Sequence, residues 1–277
     1  KDGPADKEWM DLAVGDYVLA IDGQEIKAGD NYWKILSNTL NEFIPVRYAK
    51  TPTGESAKTA RINAITAGAL NNIRYEEWVA GNRAFVEKEI VPHVQEWETA
   101  GEIPRALWRR LGELGFLGVE FPAEYGGAGG DFISTVVFAE EMARCRSGGV
   151  ALSVLAHMSS QWLTSYGTEA QKRKYLPGII SGEMVCALGI TEPGAGSDMA
   201  GIRTRAVRAG DDYLITGNKI FTTNGVYGDL YFLAVRTGPG RPDRRHEGIS
   251  MFLVERGSPG LEVSRKLDKM GMRASDT

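Results

Sequence analysis

The spacing of apolar positions changes period near residue 183. Before it, apolar residues recur every three or four positions, which predicts helices. A first helix runs to about Glu98, with Pro92 as a kink or break. Pro104 suits the first turn of a second helix over 105–114, and Gly115 stands where its stop belongs. Asp131 caps a helix over 132–144, and 151–166 is an apolar helix carrying His157. Thr168 with Gln171 fits a capping box before 172–176. Past Gly182 the pattern shortens. Runs at 184–190, 204–209, 213–216, 230–236, 249–255 and 261–264 read as strands, separated by turns such as Gly210-Asp211 and Gly217-Asn218. Short strands at this spacing predict a β-barrel or sandwich.

The first 66 residues have another rhythm. Residues 14–26 read as two strands around an Asp22-Gly23 turn. Asp30-Asn31 offers an N-cap for a helix over 32–40, and a strand over 44–49 precedes a polar turn at 51–56 and a hairpin partner over 58–65. Between 78 and 88 the pattern is helical from both sides, with Trp78, Phe85, Ile90 and Val94 on one stripe. The expected fold class is multidomain α+β. It comprises a small α/β module over 1–68, a linking helix over 69–84, a helical domain over 85–183 and a β domain over 184–277.

The densest chemistry lies at Leu188-Gly189-Ile190-Thr191-Glu192-Pro193-Gly194-Ala195-Gly196-Ser197-Asp198. A buried strand runs into a turn with two glycines and two hydroxyls, Thr191 and Ser197. Such a turn can present successive N–H groups to phosphate oxygens, or it can be an ordinary strand–loop connection. It is neither GxGxxG nor a Walker loop. The glycine-rich stretch 121–130 is open to the same two readings.

Composition narrows the field. With 32 basic and 36 acidic residues the net charge is −4, so nothing pulls the chain toward nucleic acid or anionic membrane. The basic cluster at 241–246 sits among prolines and glycines, as a solvated loop would. Two cysteines, Cys145 and Cys186, are too few for a disulfide framework and read as core residues, which fits a cytoplasmic setting. His93, His157 and His246 lack metal-ligand spacing. No apolar run is long enough to span a bilayer.

Glu192-Pro193-Gly194-Ala195-Gly196-Ser197-Asp198 resembles the flavin-binding signature of the acyl-CoA dehydrogenases. A second match, Gly217-Asn218-Lys219-Ile220-Phe221-Thr222-Thr223-Asn224-Gly225, follows at that family's spacing, and Pro122-Ala123-Glu124-Tyr125-Gly126-Gly127 is similar to a stretch of its helical domain. The resemblance runs from Phe85 to Thr277 and implies FAD as cofactor. It implies that Leu188 and Ile190 line the flavin ring and that Thr191 hydrogen-bonds it. Gly196 and Ser197 would meet the pyrophosphate, with Ser197 also near the acyl-CoA thioester. Phe221 would pack on the ring, and Thr222 and Thr223 would reach its polar edge. It also implies an electron-transfer acceptor as partner and a homo-oligomer. In the family the proton-abstracting glutamate and the oligomerising contacts lie in a C-terminal helical bundle. The chain stops at Thr277, so a truncated chain with no assignable catalytic base, weak or absent FAD retention and no turnover by itself is expected.

Residues 14–66 resemble a bacterial PDZ-type domain, and Asn71-Asn72-Ile73-Arg74-Tyr75-Glu76-Glu77-Trp78-Val79 looks like the segment that follows it in tricorn-type proteases. That resemblance implies a peptide partner added to a sheet edge, and a chimeric join between residues 78 and 88.

Overall fold

A computed structural model of the chain describes residues 16–27, 43–63 and 67–277. The expected helix over 32–40 lies outside the described residues. The chain divides into two compact units, residues 1–80 and 81–277.

The described part of the first unit is an antiparallel sheet. Its strands are β1 (Tyr17–Ile21), β2 (Gln24–Glu25), β3 (Phe43–Ala49) and β4 (Lys58–Asn63), in the order β2-β1-β3-β4. The two-residue β1–β2 turn needs positive φ at both positions, and Asp22 (49°) and Gly23 (75°) supply it. Ile21, Ile44 and Val46 form its small core, with Ile26 and Ile62 against them. α1 (Ala67–Phe85) follows and continues past residue 80.

In the second unit the helical ladder widens to a π turn over Val86–Ile90 and then tightens to a 3-10 turn over Val91–His93, before α2 (Val94–Ala100). Pro92 explains the change. It has no N–H to donate, and its ring crowds the carbonyl four residues back. Next come α3 (Arg105–Glu113), α4 (Phe132–Ala143), α5 (Gly148–Met158), α6 (Trp162–Tyr166) and α7 (Glu169–Ser181). The expected helix over 151–166 is divided by a 3-10 turn at Ser159–Gln161. α7 runs through Pro177 to Ser181 rather than ending at 176, because Ile179 and Ile180 are buried. Its capping box is present as expected.

The Asp131 carboxylate accepts the N–H of Ser134 at 2.9 Å and so caps α4. Asp131→Ala is expected to cost about 1 kcal/mol of unfolding free energy, measured by urea titration. A change near zero would mean the cap is idle. Asp131 is also held below the usual carboxylate range, first by the Ser134 backbone N–H and then by its hydroxyl.

One core joins Val86, Ile90, Trp97, Leu107, Trp108, Leu111, Phe138, Met142, Val150 and Val154. α3 and α7 meet closely. A Cβ on Gly112 would lie 2.1 Å from the Ser181 carbonyl oxygen, and one on Gly182 would lie 2.1 Å from that of Trp108.

The sheet of this unit consists of β5 (Cys186–Gly189), β6 (Arg205–Ala209), β7 (Asp212–Thr216), β8 (Leu230–Arg236) and β9 (Ile249–Glu255). β8 is the buried centre. β5 runs parallel to it and β9 antiparallel, while β6, hairpinned to β7, pairs in register with β8 at Arg205–Arg236, where the Arg236 N–H donates to the Thr204 carbonyl at 2.7 Å. Leu230 and Phe232 face α6 and α7, and Tyr231, Leu233 and Val235 pack on the other side with Ile215, Phe252 and Val254. No ladder among the described residues closes the sheet into a barrel. The expected strand at 261–264 is not one, since only Leu261 of its four residues is even half-buried and no ladder holds it.

Candidate functional site

The site grows from the C-terminal end of β5. The strand is fixed from behind by His157, fully buried in α5. The N–H of Cys186 donates to His157 Nδ1 at 3.0 Å, so that nitrogen is the bare one and Nε2–H donates to the Ile179 carbonyl at 3.0 Å. Burial keeps the ring neutral, with its pKa lowered to about 4. The strand's entry is fixed by Asp229, which accepts the Val185 N–H at 2.8 Å and pairs with Arg105.

From Leu188 onward the chain meets the turn that follows β7. The Leu188 N–H donates to the Thr223 carbonyl at 3.4 Å, and the Ile220 N–H to the Thr191 carbonyl at 2.9 Å. Asn224 anchors the far end of that turn. Its buried amide donates to the carbonyls of Ser153 (3.0 Å) and Cys186 (2.9 Å). The turn bends sharply. Phe221 and Asn224 both hold left-handed backbone, with φ of 53° and 60°. Asn tolerates that region, whereas for an aromatic residue it costs about 1–2 kcal/mol. Phe221 is nevertheless 61% exposed, so packing within the chain does not repay the strain.

The glycine turn closes on itself through reciprocal Glu192–Ala195 backbone bonds at 2.9 and 3.1 Å. Beyond it, Gly196 and Ser197 are exposed, and their N–H groups donate to nothing among the described residues. A Cβ on Gly194 or Gly196 would meet no atom within 4 Å. Asp198 then pairs with Arg245 at 2.8 Å.

Leu188, Ile190, Thr191, Thr222 and Thr223 are therefore brought together on the two facing stretches, with Phe221 projecting from the same turn. No hydrogen bond joins Gly196 or Ser197 to residues 221–223 among the described residues. The side-chain tie between their stretch and that turn runs through Glu192 and Lys219.

That tie is what sequence reasoning missed. Glu192, 6% exposed, accepts the N–H groups of Arg203 (2.6 Å) and Thr204 (2.9 Å) and the Lys219 ammonium (2.8 Å). Lys219 also donates to the Ile190 carbonyl at 3.0 Å. Burial by itself would raise the Glu192 pKa. The hydrogen bonds from Lys219, Thr204 and Arg203 outweigh it and bring the pKa to about 2. The available signal was an acid and a base, one in each motif, each followed by a nonpolar residue, Pro193 and Ile220. The two cysteines are buried as expected, and burial pushes both thiols up. Among the described residues no cluster of His, Cys, Asp or Glu could hold a metal ion, and no helix is long and apolar enough to cross a membrane.

Comparison with known families assigns both halves of the second unit. Residues 74–183 match the acyl-CoA dehydrogenase N-terminal domain, and residues 187–277 the acyl-CoA dehydrogenase middle domain. The chain belongs to the acyl-CoA dehydrogenase family. The match begins inside the stretch 71–79 that resembles tricorn-type proteases, and it leaves the PDZ-like character of the earlier residues a resemblance only. The long-chain specific acyl-CoA dehydrogenase of Mus musculus mitochondria is 42% identical over 195 residues, 70% of this chain and 45% of that protein. The crystal structure of an acyl-CoA dehydrogenase from Geobacillus kaustophilus superposes with a TM-score of 0.69 at 42% identity, covering 73% of this chain and 53% of the other. A glutaryl-CoA dehydrogenase from Mycobacterium smegmatis, solved in complex with FADH2, gives a TM-score of 0.66 at 32% identity over 72% of this chain and 50% of that one. The chain spans about half the length of the relatives it matches.

Proposed function

We propose that the second unit binds FAD between the glycine turn and the 217–225 turn, and that it serves the α,β-dehydrogenation of an acyl-CoA thioester. The observation that carries this reading is the state of the two turns. They offer unpaired N–H groups at Gly196 and Ser197, open space at Gly194 and Gly196, and an exposed, strained aromatic at Phe221. Such a donor set suits an anionic ligand bearing a flat ring. No side-chain hydrogen bond engages the hydroxyls of Thr191, Ser197, Thr222 or Thr223 among the described residues, so they are free to serve it.

When bound, the flavin supplies a ring that accepts a hydride at N5. The chain's own residues then bind and orient. Gly196 and Ser197 would hold pyrophosphate oxygens, and Ser197 would also lie near the thioester. Thr191, Thr222 and Thr223 would meet the polar edge of the ring, while Leu188, Ile190 and Phe221 keep water from its faces. Glu192 takes no part as a base. Its carboxylate is saturated by three donors and its pKa of about 2 makes it a poor proton acceptor at neutral pH. Electrons would leave to an electron-transfer acceptor, as the family resemblance implies.

The test is a titration of FAD into the chain, followed by flavin fluorescence. Saturable binding on the order of micromolar is expected, and none up to millimolar FAD would end the proposal. In Phe221→Gly the left-handed backbone is relieved. Stability should hold or rise by up to about 1 kcal/mol, while FAD affinity falls about tenfold, in line with a lost aromatic contact. A variant that binds FAD as before would remove Phe221 from the site.

A further inference from the structure

The Glu192–Lys219 pair joins three segments, the end of β5, the 217–225 turn and the approach to β6. Lys219 lies in the 217–225 turn, and its ammonium reaches back to the Ile190 carbonyl at 3.0 Å and the Glu192 carboxylate at 2.8 Å. The other contacts of Glu192 are the N–H groups of Arg203 and Thr204, at the approach to β6. Both side chains are shielded, 10% exposed for Lys219 and 6% for Glu192. A shielded pair with every oxygen engaged is sensitive to the removal of either partner, because the survivor is left charged and dry. Among the described residues the two stretches are otherwise joined by two backbone bonds, Leu188 to Thr223 at 3.4 Å and Ile220 to Thr191 at 2.9 Å, and by the Asn224 amide on the Cys186 carbonyl at 2.9 Å.

We propose that Glu192 and Lys219 are a positioning pair that fixes the glycine turn against the 217–225 turn, so that donors from both stretches converge on one ligand. The function assigned to that ligand rests on the flavin reading above, but the clamp itself does not. Neither side chain touches the ligand. Glu192 holds the base of the turn that presents Gly196 and Ser197, and Lys219 holds the base of the turn that presents Phe221, Thr222 and Thr223. The arrangement explains why a glutamate and a lysine are buried at the end of β5, where apolar residues would pack at lower risk.

The experiment uses the whole chain without added cofactor. Amide hydrogen exchange is followed at Arg203, Thr204 and Ile220, with Phe232 and Leu233 of β8 as reference, in the wild type, Lys219→Met, Lys219→Arg and Glu192→Gln. FAD affinity of each is then read by fluorescence. Expected results are at least tenfold faster exchange at the three clamp amides in Lys219→Met, unchanged exchange at the β8 reference, and FAD binding weakened at least tenfold. Lys219→Arg should restore most of both. Unchanged exchange at the clamp amides would overturn the proposal. Equal acceleration at β8 would overturn it too, since the pair would then serve global stability. So would local acceleration with FAD affinity intact. If the wild type binds no FAD at all, the flavin reading fails, and local acceleration reversed by Lys219→Arg still upholds the clamp.

Discussion

Lowering the pH from 6.5 toward 4 is expected to strip about 3 kcal/mol from the stability of the second unit through His157 alone. The folded-state pKa is depressed from 6.5 to about 4 by burial. Above 6.5 both states are neutral and the contribution is whole. Below it the unfolded chain takes a proton that the folded ring refuses, and the contribution is gone once pH passes about 4. The cause is geometric. Nδ1 accepts the Cys186 N–H and Nε2–H feeds the Ile179 carbonyl, so protonation would destroy the first bond and place a charge in the core. Urea titrations at pH 7.5 and 4.5 measure the difference. His157→Gln, which cannot titrate, should lose far less over the same interval. His157→Leu should be less stable at pH 7.5 by about 3 kcal/mol, because a buried N–H and a buried carbonyl both lose their partners. A wild type equally stable at the two pH values would show that the ring is not buried neutral.

Elements with local causes were legible in the sequence. Asp131 and the Thr168–Gln171 box cap helices as their residue types require, Gly115 ends α3 in left-handed backbone, and Asp22-Gly23 makes its tight turn. The two motifs that carry the candidate site were legible for the same reason, as short runs with fixed internal spacing. Features set by distant partners were not. Pro177 argues for a helix end, but Ile179 and Ile180 gain enough from burial to carry α7 past it. Pairing of β5 with β8 joins segments more than 40 residues apart, and parallel register leaves no turn signal to read. The Glu192–Lys219 pair was hidden likewise. Each residue by itself looks like a surface charge, and only the fold of the intervening β6–β7 hairpin brings them within 2.8 Å. The strand expected at 261–264 failed in the opposite direction, as a local apolar run with no neighbour to pair with.

Gly196→Val should weaken FAD binding by about 100-fold or more, equivalent to about 2.7 kcal/mol, and leave the melting temperature where it was. The outcome depends on what a side chain would meet. At Gly196 nothing lies within 4 Å of an added Cβ, and the backbone is not in the left-handed region, so the folded chain accepts a branched residue without strain. The side chain would fill open space on the face of a turn that also carries the N–H groups of Gly196 and Ser197, unpaired among the described residues. A ligand whose phosphate oxygens approach those donors closely needs that face bare. Gly182 supplies the contrast. Its φ is 75°, and a Cβ there would stand 2.1 Å from the Trp108 carbonyl oxygen, so Gly182→Val should unfold the α3–α7 contact whether or not any ligand exists. Thermal melts of both variants, with FAD titrations of the one that folds, separate the two roles. If Gly196→Val binds FAD as the wild type does, the glycine turn is an ordinary connection and the pyrophosphate must be sought elsewhere. If it binds nothing while melting normally, the missing Cβ serves the ligand rather than the fold.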